Sequence, residues 1–263
     1  MITLESLVEE ARRMGLPLDK KRAILREYLQ VLMLNAVYKH KLGNKMYFMG
    51  GTALRFFYNL PRFSEDLDFN SNRLSSEEFN SLLDITAGFL SNEGFKVSVK
   101  RKDIYDIFSA RFGFESVMKS FGLVDRRGED IVIKFEVNNP VWKMEYEPRA
   151  LSAFGILFTA LLMDKKSLFA EKSHAFIRRC RARDIYDVLF MLRLKFPLDK
   201  RMFSAKKIEG DPKEALLNKF KALKKEELSK LVNQVAPFLF KEGEIELVKN
   251  ASFYGQELLR DYI

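Results

Sequence analysis

Apolar positions recur at helical spacing over residues 3–13, and more densely over residues 19–41. The first pattern predicts a short amphipathic helix. The second predicts a long helix with Asp19 as N-cap, apolar nearly all round from Tyr28 to Tyr38 and therefore buried. Leu42-Gly43-Asn44 is a helix-stop signal. Met46 to Met49 reads as a short strand, Gly50-Gly51-Thr52 opens a helix reaching about Tyr58, and Asn59 to Arg62 is a turn. Polar and apolar residues alternate from Asp66 to Asn70, as in a strand with one face buried. Ser75 and Glu78 have the spacing of a capping box, which opens a helix to about Asn92. Phe95 to Arg101, Ile107 to Phe114 and Ile131 to Val137 read as strands, with a turn at Asp125 to Gly128 between the last two.

The longest apolar run, Leu151 to Met163, is too short to span a bilayer and is interrupted by Ser152 and Thr159, so it predicts a core strand or strand pair. Beyond Asp164 the pattern turns helical, and it is lysine-rich from Lys195 to Lys230. Asp211-Pro212-Lys213-Glu214 joins an N-cap, a first-turn proline and an N3 glutamate in one helix start. A last helix is expected from about Glu244 to Tyr262. The order of elements predicts an α+β (mixed α/β) fold. Residues 1–164 form a sheet domain with N-terminal helices, and residues 165–263 a helical domain that contributes to the site.

Composition narrows the class. A chain of 263 residues with 47% apolar residues can bury a real core, and its 24 phenylalanines predict one filled with large aromatic rings. The net charge of +9 favours an anionic partner, nucleic acid foremost, although a charged surface also serves solubility. Cys180 is the single cysteine, so an internal disulfide is excluded, a cysteine-based zinc site is disfavoured, and a reducing cytoplasm is the expected location. The first ten residues carry Glu5, Glu9 and Glu10 and lack the basic start of a signal peptide. No membrane partner is expected.

The chemistry concentrates in two short stretches, Phe48-Met49-Gly50-Gly51-Thr52-Ala53-Leu54-Arg55 and Arg62-Phe63-Ser64-Glu65-Asp66-Leu67-Asp68-Phe69. On a strand, residues i and i+2 share a face, so Asp66 and Asp68 project together while Leu67 and Phe69 point inward. Two adjacent carboxylates repel unless a cation sits between them, and Mg²⁺ suits a couple of carboxylates completed by water and phosphate oxygens. The bland alternative is a solvated surface strand. Gly50 and Gly51, between a strand and a helix, let the backbone approach a ligand, and the helix start at Thr52 offers N–H groups to phosphate. Glu136 lies on a later strand on the face of Lys134, where it could complete the metal site, act as base, or simply be exposed. Arg55 and Arg62 either bind phosphate or salt-bridge the acids. Ser64 caps a turn, the favoured reading, or contacts nucleotide or metal. Four arginines from Arg178 to Arg183 and the lysines from Lys195 to Lys230 suit a phosphate backbone, or the solvated faces of helices.

These blocks, with a later Arg183-Asp184-Ile185-Tyr186-Asp187, resemble the nucleotidyltransferase superfamily typified by DNA polymerase beta. More narrowly they resemble the AbiEii/AbiGii toxin family, which includes the mycobacterial MenT group. The likeness runs from about Met46 to Leu192, with three separated blocks in the family's order. It implies a metal-dependent nucleotidyltransferase of a toxin–antitoxin or phage-defence system. It assigns Asp66, Asp68 and Glu136 to Mg²⁺ or Mn²⁺, and Gly50, Gly51, Thr52, Arg55 and Ser64 to the NTP. Lys172, in the pair Glu171-Lys172, is assigned to the phosphates. Asp184 is assigned to the site, with Asp187 the competing choice at i+3 on the same helix face and an N-cap role for Asp184 equally open. The implied acceptor is RNA, foremost the 3′ end of tRNA, and the implied protein partner is a cognate antitoxin. Transfer to a small molecule or a protein, and a non-catalytic nucleotide- or RNA-binding module, are the rival readings.

Overall fold

A computed structural model describes all residues except 104–106, 125–130, 141–144, 261 and 263. The turn expected at Asp125 to Gly128 lies outside the described residues. The chain divides into two compact units. One comprises Met1–Tyr58 and Phe63–Leu162, and the other Asn59–Arg62 and Met163–Ile263.

The first unit begins with α1 (Leu4–Arg13), whose N-cap Thr3 accepts from the Ser6 amide, and α2 (Lys21–Lys39). Helix α2 is buried from Leu29 to Val37, as its apolar sequence demands. Its N-cap is Lys20, not Asp19, and no side chain bonds the cap. A 3-10 turn over Lys41–Lys45 leads into β1 (Met46–Met49), α3 (Gly50–Tyr58), β2 (Leu67–Ser71) and α4 (Ser76–Asn92). Ser75 and Glu78 form the expected reciprocal capping box of α4. Then come β3 (Val97–Arg101), β4 (Ile107–Phe114), the short α5 (Val117–Ser120), β5 (Ile131–Asn138), β6 (Tyr146–Ala153) and β7 (Ile156–Met163). The apolar run around Leu151 to Met163 is thus a strand pair.

The seven strands form one mixed sheet in the order β3-β4-β5-β2-β1-β7-β6. Strands β1 and β2 are antiparallel, with Phe48 opposite Phe69. Strands β2 and β5 are parallel, with Phe69 beside Val137 and Asp68 beside Glu136. On the buried face, rings of Phe48, Phe69 and Phe135 follow one another across three strands at centroid distances of 5.3 and 4.8 Å. These aromatics are fully buried, so alternation sends Asp68 and Glu136 to the opposite face, while Asp66 immediately precedes β2, which starts at Leu67.

The second unit is helical: α6 (Lys165–Arg178), α7 (Ala182–Arg193), α8 (Lys200–Ala205), α9 (Pro212–Lys221), α10 (Lys225–Val235), α11 (Ile245–Lys249) and α12 (Ala251–Arg260). Asp211 caps α9 as expected, accepting from the Glu214 amide at 3.0 Å. The single final helix expected from Glu244 is instead two, broken at Asn250. Asn59–Arg62 belongs to this unit because Phe240 N–H bonds the Pro61 carbonyl at 3.0 Å and Arg62 bridges to Leu239. Among the described residues, no helix is long and apolar enough to cross a membrane.

Candidate active site

In the sheet unit the site grows from the β1–α3 corner. Gly50 follows Met49, the cross-strand partner of Asp68, and has φ +82°. A Cβ on Gly50 would lie 2.3 Å from Oδ2 of Asp68. Glycine is therefore required twice, for a backbone conformation that L side chains avoid and for close approach of the Asp68 carboxylate. Gly51 is buried in the same turn of α3, and Thr52 donates its hydroxyl to the Asp66 carbonyl at 2.6 Å, tying that turn to the start of β2.

Helix α2 supports this corner with three polar side chains in an otherwise apolar stretch. Arg55 donates to Glu27 at 2.8 Å, both side chains being buried. Burial pushes the Glu27 carboxyl up, and the Arg55 charge only partly opposes it. Gln30 donates to the Ser64 carbonyl at 3.0 Å, and Arg26 to Glu65 at 2.6 Å. The segment leading to Asp66 is thus held at two successive residues. Of the two roles open for Arg55, the structure shows the salt bridge, to an acid that sequence reasoning did not consider. The missed signal was the Arg26-Glu27 and Gln30 polar set beside so apolar a helix.

Asp66 and Asp68 stand two residues apart, both partly exposed, with Leu67 and Phe69 fully buried between and beyond them. Asp68 also has Glu136 of β5 as its cross-strand neighbour. The Glu136 carboxylate, however, accepts from Lys134 at 2.8 Å. Among the described residues, no three His, Cys, Asp or Glu side chains gather closely enough to hold a metal ion. The strand register therefore brings Glu136 beside Asp68 without joining it to the aspartates in a three-acid cluster. The two aspartates still fit a hard divalent cation, which needs only one or two protein carboxylates when phosphate and water fill its shell. The lack of a side chain at Gly50 makes room for the Asp68 carboxylate at this corner.

On the same sheet face, Tyr47 lies opposite Asn70 and its ring stacks on Tyr146 at 4.3 Å and 17°. Tyr146 is 47% exposed, and no motif marked it.

In the helical unit, Lys172, assigned from the sequence to the phosphates, is engaged by Asp187. Lys172 donates to Asp187 at 2.6 Å, and Arg62 makes two parallel bonds to the same carboxylate, both 2.8 Å. Asp187 is fully buried. Burial alone would raise its pKa, but the charges and hydrogen bonds of Arg62 and Lys172 prevail and hold it below the usual carboxylate range. Asp184 sits elsewhere. Helix α7 starts at Ala182, so Asp184 is its third residue and not an N-cap. Its carboxylate accepts from the Arg181 amide at 3.2 Å and from Arg179 at 2.9 Å. Arg181, with extended backbone, takes the cap position, and Asp184 accepts its amide from inside the first turn. Glu171 pairs with Lys206.

The family model described as "Nucleotidyl transferase AbiEii toxin, Type IV TA system" matches residues 32–247. Among solved structures, MenT4, a nucleotidyltransferase toxin from Mycobacterium tuberculosis, superposes with a TM-score of 0.62 at 17% identity, covering 99% of this chain and 90% of that one. JHP933 from Helicobacter pylori gives a TM-score of 0.59 at 18% identity, covering 91% and 90%. Likeness at such identity concerns the fold alone. No curated protein matches the chain.

Proposed function

The chain belongs to the AbiEii family of nucleotidyltransferase toxins, and from that premise we propose that it transfers a nucleoside monophosphate from an NTP to RNA, with the 3′ end of tRNA as acceptor, and so blocks translation until an antitoxin binds it. The carrying observation is the approach of the Asp68 carboxylate to Gly50, a corner where carboxylate and glycine backbone meet with no room for a Cβ.

Asp66 and Asp68 are the residues that would hold Mg²⁺ or Mn²⁺. When bound, such a cation polarises the α-phosphate region and acidifies an incoming hydroxyl. Gly50, Gly51 and the first-turn amides of α3 receive the triphosphate, helped by the positive end of that helix. Thr52 keeps this turn fixed on Asp66 through its bond to the Asp66 carbonyl. Arg55, oriented by Glu27, adds positive potential, and Ser64 is held at the approach by Gln30. Glu136, beside Asp68 on the ladder and bonded by Lys134, accepts the proton of the attacking hydroxyl. Within the helical unit, Asp187 anchors Lys172, the cation that the family likeness assigns to the phosphates, and Asp184 holds the start of α7. Tyr146 offers an exposed ring to the nucleobase. Catalysis of this kind rests on positioning and electrostatics.

The test is incubation with each labelled NTP in turn, Mg²⁺ and total RNA, with wild type beside Asp66→Ala. Label in a tRNA-sized band from wild type only is the expected result. Equal labelling by both proteins removes Asp66 from the chemistry, and label on protein or small molecules alone removes RNA.

A further inference from the structure

We propose that the sheet face bearing Asp68 and Glu136 continues into a phosphate track for the nucleic-acid acceptor, formed by Lys134, Arg111 and Lys100. This rests on the reading of the acceptor as RNA. Lys100 of β3 lies directly opposite Arg111 of β4, and Arg111 directly opposite Lys134 of β5. Cross-strand partners share a face, so the three cations form one row. Two inter-strand spacings make it about 10 Å long, enough for about three phosphates of a helical strand at about 3.4 Å of axis each. Two residues along β5 from Lys134, on the same face, stands Glu136, whose partner on β2 is Asp68. The row therefore ends at the proposed reaction centre, where an acceptor hydroxyl has to arrive.

The row has no structural use. Like charges directly opposite one another weaken a sheet. Lys134 is offset by Glu136, but Lys100 and Arg111 are exposed, and the described residues give neither an ion-pair partner. Their neighbour Arg101 shows the contrast. It points to the other face, is paired with Asp103 at 2.5 Å, and lies over the rings of Phe79 and Phe108. Around the row stand Ser98 opposite Gly113, Gly113 opposite the exposed Val132, and Ser109 opposite Glu136, so small residues flank the cations on two of the three strands. Flat, cationic and without bulky apolar side chains in the row itself, this surface suits a sugar–phosphate backbone better than a folded protein partner.

The experiment is fluorescence anisotropy of a fluorescein-labelled RNA hairpin with a single-stranded 3′ end, titrated between about 50 and 200 mM salt. Wild type is compared with Lys100→Ala/Arg111→Ala and with Lys224→Ala/Lys230→Ala, which removes the same charge from exposed positions of the lysine-rich helical stretch. Each lost phosphate contact removes about 0.7 to 0.9 from the slope of log affinity against log salt, so the sheet variant should lose about 1.4 to 1.8. The helical variant should lose much less. An unchanged Mg²⁺–NTP thermal shift would show that the sheet variant remains folded. Equal losses in both variants would reduce the effect to bulk charge and overturn the track. So would an unaltered slope in the sheet variant, which would leave an acidic protein as the class this face fits. The labelling assay separates this outcome from failure of the RNA reading. If wild type labels RNA and the sheet variant keeps its slope, only the track falls. If wild type labels no RNA, the acceptor reading falls whatever the slope.

Discussion

Gly50 has two jobs at one position, and they separate in a mutant. With φ +82° and the Asp68 carboxylate 2.3 Å from where a Cβ would stand, Gly50→Ala has to strain the backbone and push Asp68 aside. The strain costs about 1–3 kcal/mol and should lower the melting temperature modestly. Displacing Asp68 by about an ångström should reduce kcat for nucleotidyl transfer about 100-fold. Single-turnover transfer from labelled NTP measures the second effect, and a stable variant with wild-type turnover would refute the close-approach argument. The aspartate pair and the glycines were legible in the chain because their signals are local: alternation over five residues and a glycine pair between a strand and a helix. The supports were not. Glu27, Gln30 and Arg26 come from a helix some 28 to 39 residues before the groups they hold. A polar residue in an apolar helix announces that it has a partner, but not which one.

At the scale of elements, α6 and α7 are joined by a buried charge cluster in which one carboxylate serves two cations. Asp187→Ala would leave Arg62 and Lys172 poorly compensated, and breaking such a buried pair costs about 3–5 kcal/mol. Urea unfolding at neutral pH should show that loss. The pH dependence follows from the sign of the shift. Asp187 is held below its ordinary value when folded, so its stabilisation is complete above the unfolded-state pKa of about 3.9 and is lost as pH falls through the lower folded value. Wild type should therefore lose stability below about pH 4 more steeply than Asp187→Asn, and parallel acid-unfolding curves would contradict this. Asp187 could not be chosen over Asp184 from the sequence, because spacing of three places both on one helix face. The choice is made by Arg179 and the Arg181 amide, which engage Asp184, and by Arg62, brought from far along the chain to Asp187. For the same reason the strands were legible one by one, while the order β3-β4-β5-β2-β1-β7-β6 was not. Pairing is non-local, and the row Lys100, Arg111, Lys134 exists only once that order is known.

For the whole chain, ligand-linked stability reports on the two acids at the site, and Asp66→Asn/Asp68→Asn removes both carboxylates that would hold the cation. Wild type should gain from Mg²⁺ and NTP together, by about 2.7 kcal/mol at a ligand concentration one hundred times Kd, while the double variant should gain little. Bulk charge predicts the reverse. The chain already carries +9, and the double substitution makes it more positive, so unspecific attraction of a polyphosphate would rise. A smaller ligand-induced shift in the more positive protein can come only from loss of a specific site that needs the carboxylates. Thermal melts of both proteins, with Mg²⁺ alone, NTP alone and both, make the comparison. If the double variant keeps the joint shift, the aspartates do not hold the metal, and the reaction has to be built on other residues.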